Sequence, residues 1–395
     1  MLNINTRLPG KKMKIALSHL SLNFLGGEEK LCLSFIEALK LGGHKVTLFT
    51  VEKTDWNSIR KFFGNISMPD EEKYATSLAI HTRFSETPTL AFAYAKYLEG
   101  LTKLSYKRKY DLVINTYGDL INSIADLAYV HFPIRATLNY SQTPAFISPF
   151  KWKIYCKVYN LTTSILDNIK PSILLTNSKF TQQVVREYLG REALVLHPPV
   201  DVQTYSNKRA KQKNYVITVA KFTPKRGLHR VPLIAKNTRN AKFVIVGAAD
   251  EYSVETIQNL QKIIKKCGVE DAVTLLFNVS RSRLLELLTR AKAYLHVMPF
   301  EHFGTSIVEA MASGCIPIVH RSGGPWLDLL NQQQGQYGFS YTTLEEAAQL
   351  VDHIMVDQQV SSGISLAAQK RSRNYDKKVF QKKLIAILKT NFQRR

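Results

Sequence analysis

Short apolar runs alternate with segments of helical spacing along most of this chain. In the first half, strands are predicted at residues 13–18, 45–51, 111–116, 126–130, 172–177 and 193–197. Residues 28–41 and 178–189 have the apolar spacing of helices, and Gly42-Gly43 predicts the end of the first one. Strands joined by helices predict a parallel sheet with right-handed crossovers. Residues 55–99 have an irregular pattern and are interpreted as helical.

A second alternation begins after a break in the pattern at His197-Pro198-Pro199 and a polar, basic stretch at 206–214. Strands are predicted at residues 215–220, 242–247, 272–277, 294–298 and 315–320, with helices at 227–237, 253–267 and 280–291. The sequence therefore predicts an α/β protein with two doubly wound domains, residues 1–203 and 204–374. A separate segment, residues 375–395, contains a basic amphipathic helix at 376–392.

Composition and charge narrow the possible partners. The chain has 395 residues, with 54 Lys and Arg against 31 Asp and Glu, a formal charge of +23. Nucleic acid, anionic lipid and pyrophosphate-linked substrates all fit such a charge. The four cysteines are scattered, which predicts buried free thiols in a reducing compartment. The first residues lack the apolar core of a signal peptide, and no run reaches the roughly 18 apolar residues of a spanning helix. We therefore expect a cytoplasmic protein whose membrane contact, if any, is peripheral.

Two glutamates frame the loop that follows the predicted strand 294–298. Glu301 precedes a predicted helix, Glu309 lies within it, and Gly304 allows a ligand to approach the backbone. An alternative interpretation is that Glu309 belongs to a capping box that begins at Ser306. Further on, Gly323-Gly324-Pro325 predicts a helix start whose amides are free to bind an anion. Carboxylates for sugar hydroxyls beside amides for phosphate suggest a nucleotide-sugar site.

Four other features are candidates for function, each with a structural alternative. The cations of 221–227 follow a predicted strand, although they are also typical of a solvated surface. Gly26-Gly27 could be an ordinary turn, and His131, which ends a strand, could be structural. The aromatic and basic residues of 150–159 fit either a helix packed on the core or an interfacial helix on anionic lipid.

A family resemblance rests on the string from Glu301 to Gly324. The segment Glu301-His302-Phe303-Gly304, with Glu309 eight positions after Glu301, resembles the E-x7-E signature of family-4 retaining glycosyltransferases. The longer string is most similar to the branch of α-1,2-mannosyltransferases that extend dolichol-linked oligosaccharides. The resemblance implies the GT-B architecture, two Rossmann-like domains facing across a cleft. It also implies a last helix that crosses back to the amino-terminal domain, with lipid binding by that helix as the second interpretation.

The resemblance also implies roles for particular residues. His131 and Glu301 are expected to be catalytic and to face the transferred sugar, and Glu309 is expected to bind the ribose. The remaining expected donor-binding residues are Gly26, Gly27, Lys221, Arg226, Phe303, Gly304 and Thr305. Lys221 and Arg226 stand where the family has an Arg and a Lys, so the charge is kept while the geometry differs. No metal and no cofactor other than the nucleotide-sugar donor are expected.

The expected reaction is transfer of a hexose with retention of its anomeric configuration. GDP-mannose is the favoured donor, and a polyprenyl-linked glycan at the cytosolic face of an anionic membrane is the favoured acceptor. The runner-up is an enzyme of lipopolysaccharide or exopolysaccharide synthesis that uses a UDP-sugar. A retaining glycosidase and a noncatalytic sugar-nucleotide sensor are weaker alternatives. A nucleic-acid-binding protein is the remote alternative, because the sequence contains no recognisable nucleic-acid-binding module.

Overall fold

The computed structural model describes residues 12–77, 109–118, 125–137, 139–140, 148, 150, 152–154, 157, 173–206, 215–239 and 241–392. The chain divides into two compact units. Unit 1 comprises residues up to Asn177, residues Thr181–His197 and residues from Lys378 onward, and unit 2 comprises Ser178–Phe180 and Pro198–Lys377. The domain limits drawn from the sequence, at 203/204 and 374/375, stay predictions.

The described strands are β1 Lys14–Ser18, β2 Lys45–Glu52, β3 Glu71–Thr76, β4 Leu112–Asn115, β5 Leu127–Val130, β6 Ile173–Thr176, β7 Leu194–Val195, β8 Tyr215–Val219, β9 Lys242–Gly247, β10 Val273–Phe277, β11 Ala293–His296, β12 Ile316–His320 and β13 Phe339–Tyr341. The described helices are α1 Gly27–Leu41, α2 Trp56–Phe63, α3 Lys179–Leu189, α4 Val202–Ser206, α5 Arg230–Lys236, α6 Val254–Cys267, α7 Arg281–Arg290, α8 Thr305–Ala312, α9 Leu344–Val356, α10 Gln358–Ser372 and α11 Lys377–Phe392.

Unit 1 is built on a parallel sheet with the strand order β3-β2-β1-β4-β5-β6-β7. Alternate residues of β1 point to opposite faces of the sheet: Ile15 and Leu17 pack in one apolar cluster, and Ala16 packs in another. Both faces of the sheet are therefore buried, as expected for a parallel sheet. The strand order reverses between β1 and β4, and ligands of open α/β sheets bind beyond the carboxyl ends of the strands at such a point.

Unit 2 repeats this plan with the strand order β10-β9-β8-β11-β12-β13, also parallel. Its reversal lies between β8 and β11. The loop after β8 contains the predicted cations, and the loop after β11 contains Glu301. Each loop follows the carboxyl end of its strand, so the fold brings both to the same edge of the sheet.

The last helix, α11, belongs to unit 1. Phe380, Leu384, Leu388 and Phe392 recur at intervals of four, lie on one face and are buried in a cluster with β1 and β2. Ile387 packs at the margin of this cluster, and the helix is amphipathic, as predicted.

The structure corrects the sequence reading in three places. The helical interpretation of residues 55–99 is right for α2 and wrong for β3, an edge strand that the sequence concealed because EEKYAT has no apolar alternation. Residues 78–99 lie outside the described residues. The helix predicted at 227–237 begins only at Arg230, after a 3-10 turn at Pro224–Arg226 and Gly227 with φ of 65°. Elements β13, α9 and α10 were not predicted. Within the described residues, none of the helices has the length and apolar content needed to cross a bilayer.

Candidate functional site

The loop that follows β11 is held in a tight, irregular path. Phe300 has a positive φ of 54°, and its amide donates to Ser322 Oγ at 2.8 Å. Gly304, with φ of 88°, ends the loop and precedes the first residue of α8. A residue with a side chain rarely adopts such a φ, so Gly304 meets a conformational requirement of the backbone. Glu301 lies between these two points.

The Glu301 carboxylate is surrounded by donors and cations. Arg226 Nη1 lies 2.9 Å from Oε2, and His296 Nε2 lies 3.4 Å from the same oxygen. The amide of His302 donates to Oε1 at 3.0 Å. Burial by itself would raise the pKa of Glu301, but the contact with His296 and the charge of Arg226 outweigh it and hold this pKa well below its usual range. Glu301 is therefore a fixed anion that accepts hydrogen bonds.

Gly323 and Gly324 pack directly against the Glu301 loop. A Cβ on Gly323 would lie 2.4 Å from the carbonyl oxygen of Glu301, and a Cβ on Gly324 would lie 2.1 Å from that of His302. The amide of Gly324 donates to the Glu301 carbonyl oxygen at 2.8 Å. The prediction that this amide is free for an anion is therefore wrong. The glycine pair instead allows two backbone segments to approach closely. Pro325 does begin the following helical turn, as predicted.

Glu309 is not a helix cap. The N-cap of α8 is Gly304, with no side-chain capping hydrogen bond, and the hydroxyl of Ser306 instead accepts from Tyr294 at 2.8 Å. The capping-box interpretation is therefore wrong. Burial, followed by the charge of Glu309 and a hydrogen bond to it, raises the pKa of the Tyr205 hydroxyl far above its usual range. Tyr205 in α4 therefore contacts the carboxylate expected to bind the ribose.

The cations after β8 take different positions. Arg226 reaches Glu301. Lys221 pairs with Asp250 at 3.2 Å, and both side chains are about half exposed. Phe303 is buried and packs edge-on against Tyr375, with ring centroids 5.4 Å apart. The side chain of Phe303 is therefore part of the core, and a donor would contact it only through the backbone.

The predicted residues of unit 1 lie at the carboxyl edge of its sheet. His131 directly follows β5, and its Nε2 lies 3.0 Å from the carbonyl oxygen of Thr116, the residue after β4. Gly26 is the N-cap of α1, and Gly27 is its first residue. The roles of these residues in ligand binding stay predictions.

Sequence reasoning missed several residues that the structure places around these groups. His296 is the last residue of β11 and was interpreted only as part of an apolar strand. Tyr205 precedes a stretch that was interpreted as a linker. His19 and Glu29 flank the Gly26-Gly27 loop. His19 could have been found from the sequence, because it is a polar residue directly after the buried strand β1. Among the residues that the structure describes, no three His, Cys, Asp or Glu side chains form a group that could hold a metal ion.

Comparison with known proteins links this arrangement to a family. Residues 201–371 match the family model described as Glycosyl transferases group 1. A protein of Dictyostelium discoideum named GDP-Man:Man(3)GlcNAc(2)-PP-Dol alpha-1,2-mannosyltransferase is 25% identical over 261 residues, 60% of this chain and 50% of that protein. The human protein of the same name is 27% identical over 281 residues, 62% of this chain and 54% of that protein. The chain thus spans about half the length of these curated relatives.

Solved structures share the fold over nearly the whole chain. Anabaena Alr3699/HepE, solved in complex with UDP-glucose, superposes with a TM-score of 0.70 at 18% identity, covering 96% of this chain and 100% of that one. WaaG, a glycosyltransferase involved in lipopolysaccharide biosynthesis, gives 0.65 at 13% identity, covering 94% and 99%. The predicted fold class, two Rossmann-like domains of the GT-B type, is confirmed.

Proposed function

We propose that this chain, whose residues 201–371 are a glycosyl transferases group 1 domain, is a retaining hexosyltransferase that uses a nucleotide diphosphate sugar. One observation carries the proposal: the anionic Glu301 is fixed by Arg226 and His296 at the strand-order reversal of unit 2. We assign Arg226 to the donor diphosphate, and a hydrolase would have no use for such a cation beside the carboxylate. Glu309 lies on the helix that follows the same loop.

The proposed chemistry is a substitution at the anomeric carbon. The bond from that carbon to the diphosphate oxygen breaks, and its electron pair leaves with the diphosphate. A bond forms from the acceptor hydroxyl oxygen to the same carbon on the same face, and the hydroxyl proton goes to the departing phosphate. Positive charge develops on the sugar and negative charge on the diphosphate. Arg226 and Lys221 stabilise the diphosphate, while Glu301 accepts hydrogen bonds from sugar hydroxyls.

The substrate proposal rests on the relatives. Their printed name specifies a GDP-mannose donor and a dolichol-diphosphate-linked oligosaccharide acceptor. We therefore propose mannose transfer from GDP-mannose to a polyprenyl-diphosphate-linked glycan, without a metal ion. The pairing of Tyr205 with Glu309 supports a ribose site, because it orients a carboxyl group whose oxygens can accept hydrogen bonds from ribose hydroxyls.

Contact with an anionic membrane is part of the proposal. Phe150 is 74% exposed and Ile154 is 48% exposed, at a spacing of four residues. Lys153 and Lys157 are exposed in the same segment, while Trp152 is buried and its Nε1 donates to Thr137 at 2.9 Å. Apolar side chains beside lysines suit the headgroup region of a bilayer. Tyr155 and Tyr159, which the sequence placed on the packed face, lie outside the described residues.

Calorimetric titration of GDP-mannose, GDP, UDP-glucose and UDP, with and without EDTA, tests the donor site. We expect saturable binding of the guanine compounds that EDTA does not change and that Glu309→Ala weakens by on the order of a hundredfold. Glu345→Ala is the matched control, since Glu345 is an exposed acid in the first turn of α9. Preference for the uridine compounds would instead favour the UDP-sugar alternative. Absence of binding by all four would contradict the proposal.

A further inference from the structure

A buried carboxylate lies beneath the Gly26-Gly27 loop of unit 1. Glu29, only 4% exposed, accepts a hydrogen bond from the Gly26 amide on Oε2 at 2.6 Å. A Cβ on Gly26 would lie 2.8 Å from the same oxygen, so a side chain there would displace the carboxylate. At Gly27 an added Cβ would meet nothing within 4 Å. Glu29 therefore contacts the loop at Gly26 and not at Gly27.

The other oxygen of Glu29 faces a fully buried histidine. His19 follows β1, is 0% exposed, and its Nε2 lies 3.7 Å from Glu29 Oε1. Its Nδ1 lies 3.0 Å from Thr116 Oγ1, which itself donates to the Ser18 carbonyl oxygen at 3.1 Å. With the Thr116 hydroxyl donating to Ser18, His19 Nδ1 is the donor to Thr116. The other nitrogen of His19, Nε2, faces Glu29 Oε1 at 3.7 Å and makes no hydrogen bond in the described part of the chain.

Thr116 also fixes the ring of His131. Its carbonyl oxygen lies 3.0 Å from His131 Nε2. A carbonyl oxygen only accepts, so Nε2 carries the proton, and Nδ1 is the acceptor atom of the neutral ring. Contacts thus run from Gly26 through Glu29, His19 and Thr116 to His131. They connect a loop and a histidine that the family resemblance implies to be site residues.

We propose that Glu29 is a positioning residue, which holds the Gly26-Gly27 loop and, through His19 and Thr116, the orientation of His131. This proposal rests on the proposed function for its effect on turnover. A helix cap alone accounts for the contact with Gly26, because Glu29 occupies the third position of α1. It does not account for a carboxylate buried against a histidine that bonds to the neighbouring strand end. Burial of a polar group is unfavourable unless the group is hydrogen-bonded or paired.

The test compares Glu29→Gln and Glu29→Ala with Glu28→Gln. Glu28 is exposed on the same turn, so Glu28→Gln removes the same charge as Glu29→Gln one residue away. Two readouts are measured on the full chain: the position of the Gly26 amide in spectra of protein labelled with 15N-glycine, and kcat and KM for GDP-mannose. The first readout requires no catalytic activity.

Positioning predicts a distinct pattern. Glu29→Ala should shift the Gly26 amide upfield and lower kcat by on the order of ten- to a hundredfold with little change in KM. Glu29→Gln keeps an acceptor oxygen, so its Gly26 amide shift and its kcat should lie between those of Glu29→Ala and wild type. Glu28→Gln should resemble wild type in both. Folded Glu29 variants with an unchanged Gly26 amide and unchanged kcat would overturn the proposal. If wild type itself transfers no sugar, the proposed function fails, while the Gly26 amide still tests the loop contact.

His19 provides an independent test of the connection to His131. His19→Asn retains an amide that can donate to Thr116 from the Nδ1 position, whereas His19→Ala does not. The nitrogen spectrum of His131 should show the Nε2-protonated form in wild type and in His19→Asn, and a mixture of forms in His19→Ala. An unchanged His131 spectrum in folded His19→Ala would show that Thr116 holds the ring without His19.

Discussion

Substitution of Gly324 by alanine tests whether backbone packing positions Glu301. Gly324 has φ of −59° and ψ of −41°, which alanine adopts without strain. The substitution adds only a Cβ, which would lie 2.1 Å from the His302 carbonyl oxygen. Cβ atoms in proteins essentially never come closer than 3.0 Å to another heavy atom of this kind. The two segments must therefore separate by about 0.9 Å, the difference between these distances.

This separation has two measurable consequences. Overpacking of this kind costs about 1–3 kcal/mol, which lowers Tm by roughly 3–10 °C for a unit of this size. It also stretches the hydrogen bond from the Gly324 amide to the Glu301 carbonyl oxygen, now 2.8 Å. A displacement near 1 Å at Glu301 should lower turnover by on the order of a hundredfold.

Calorimetry and steady-state kinetics on Gly324→Ala measure both effects. Gly363→Ala is the matched control, because its Cβ would meet nothing within 4 Å and it lies within α10. Alanine is the better helix former, so the control should gain about 0.5–1 kcal/mol and keep wild-type kinetics. If Gly324→Ala has the Tm and turnover of wild type, the packing of this loop does not position Glu301.

Three further results are expected. The pKa of Glu301 is lowered in the folded state, so the ionised carboxylate stabilises the fold at neutral pH, and this contribution is lost as the pH falls below about 4.3. Urea unfolding of Glu301→Gln should therefore show a shallower loss of stability in acid than wild type. Cys32 and Cys315 are buried, and burial raises the pKa of Cys32 to about 12, so mass spectrometry should find both unlabelled by iodoacetamide until the protein is unfolded. Leu384→Ala should lose about 2–5 kcal/mol in urea unfolding, because this α11 side chain is buried in unit 1, whereas the exposed Lys382→Ala should stay within about 0.5 kcal/mol of wild type.

The sequence predicted the elements that have strong apolar periodicity. The described strands of both sheets, apart from the edge strands β3 and β13, were located to within two residues at each end. Buried parallel strands are continuous apolar runs, and such runs are visible in a sequence. The residues of β3 carry charges and lie at the sheet edge, so its hydrogen bonds with β2 decide its structure.

The site was predictable where the residue type is itself the signal. Glu301 was identified from its loop and Arg226 from the family resemblance, although the pairing between them was not predicted. The histidines were harder, because His296 and His19 look like ordinary members of a strand or its end. His296 pairs with a carboxylate five residues later, and His19 faces one ten residues later, and only the paths of the intervening loops bring each pair together. The hydrogen bond of the Gly324 amide could not be predicted either, because its acceptor is a backbone carbonyl 23 residues earlier in the chain.

The most direct test of the central claim is sugar transfer itself. GDP-mannose labelled with 13C at the anomeric carbon is incubated with a polyprenyl-diphosphate-linked glycan and EDTA, and the product is examined by NMR. We predict release of GDP and a new α-linked mannose, abolished in Glu301→Gln and retained in Glu345→Ala. A β-linked product, or transfer that proceeds unchanged in Glu301→Gln, would contradict the proposed mechanism. No transfer from this donor or from any UDP-hexose would contradict the proposed function.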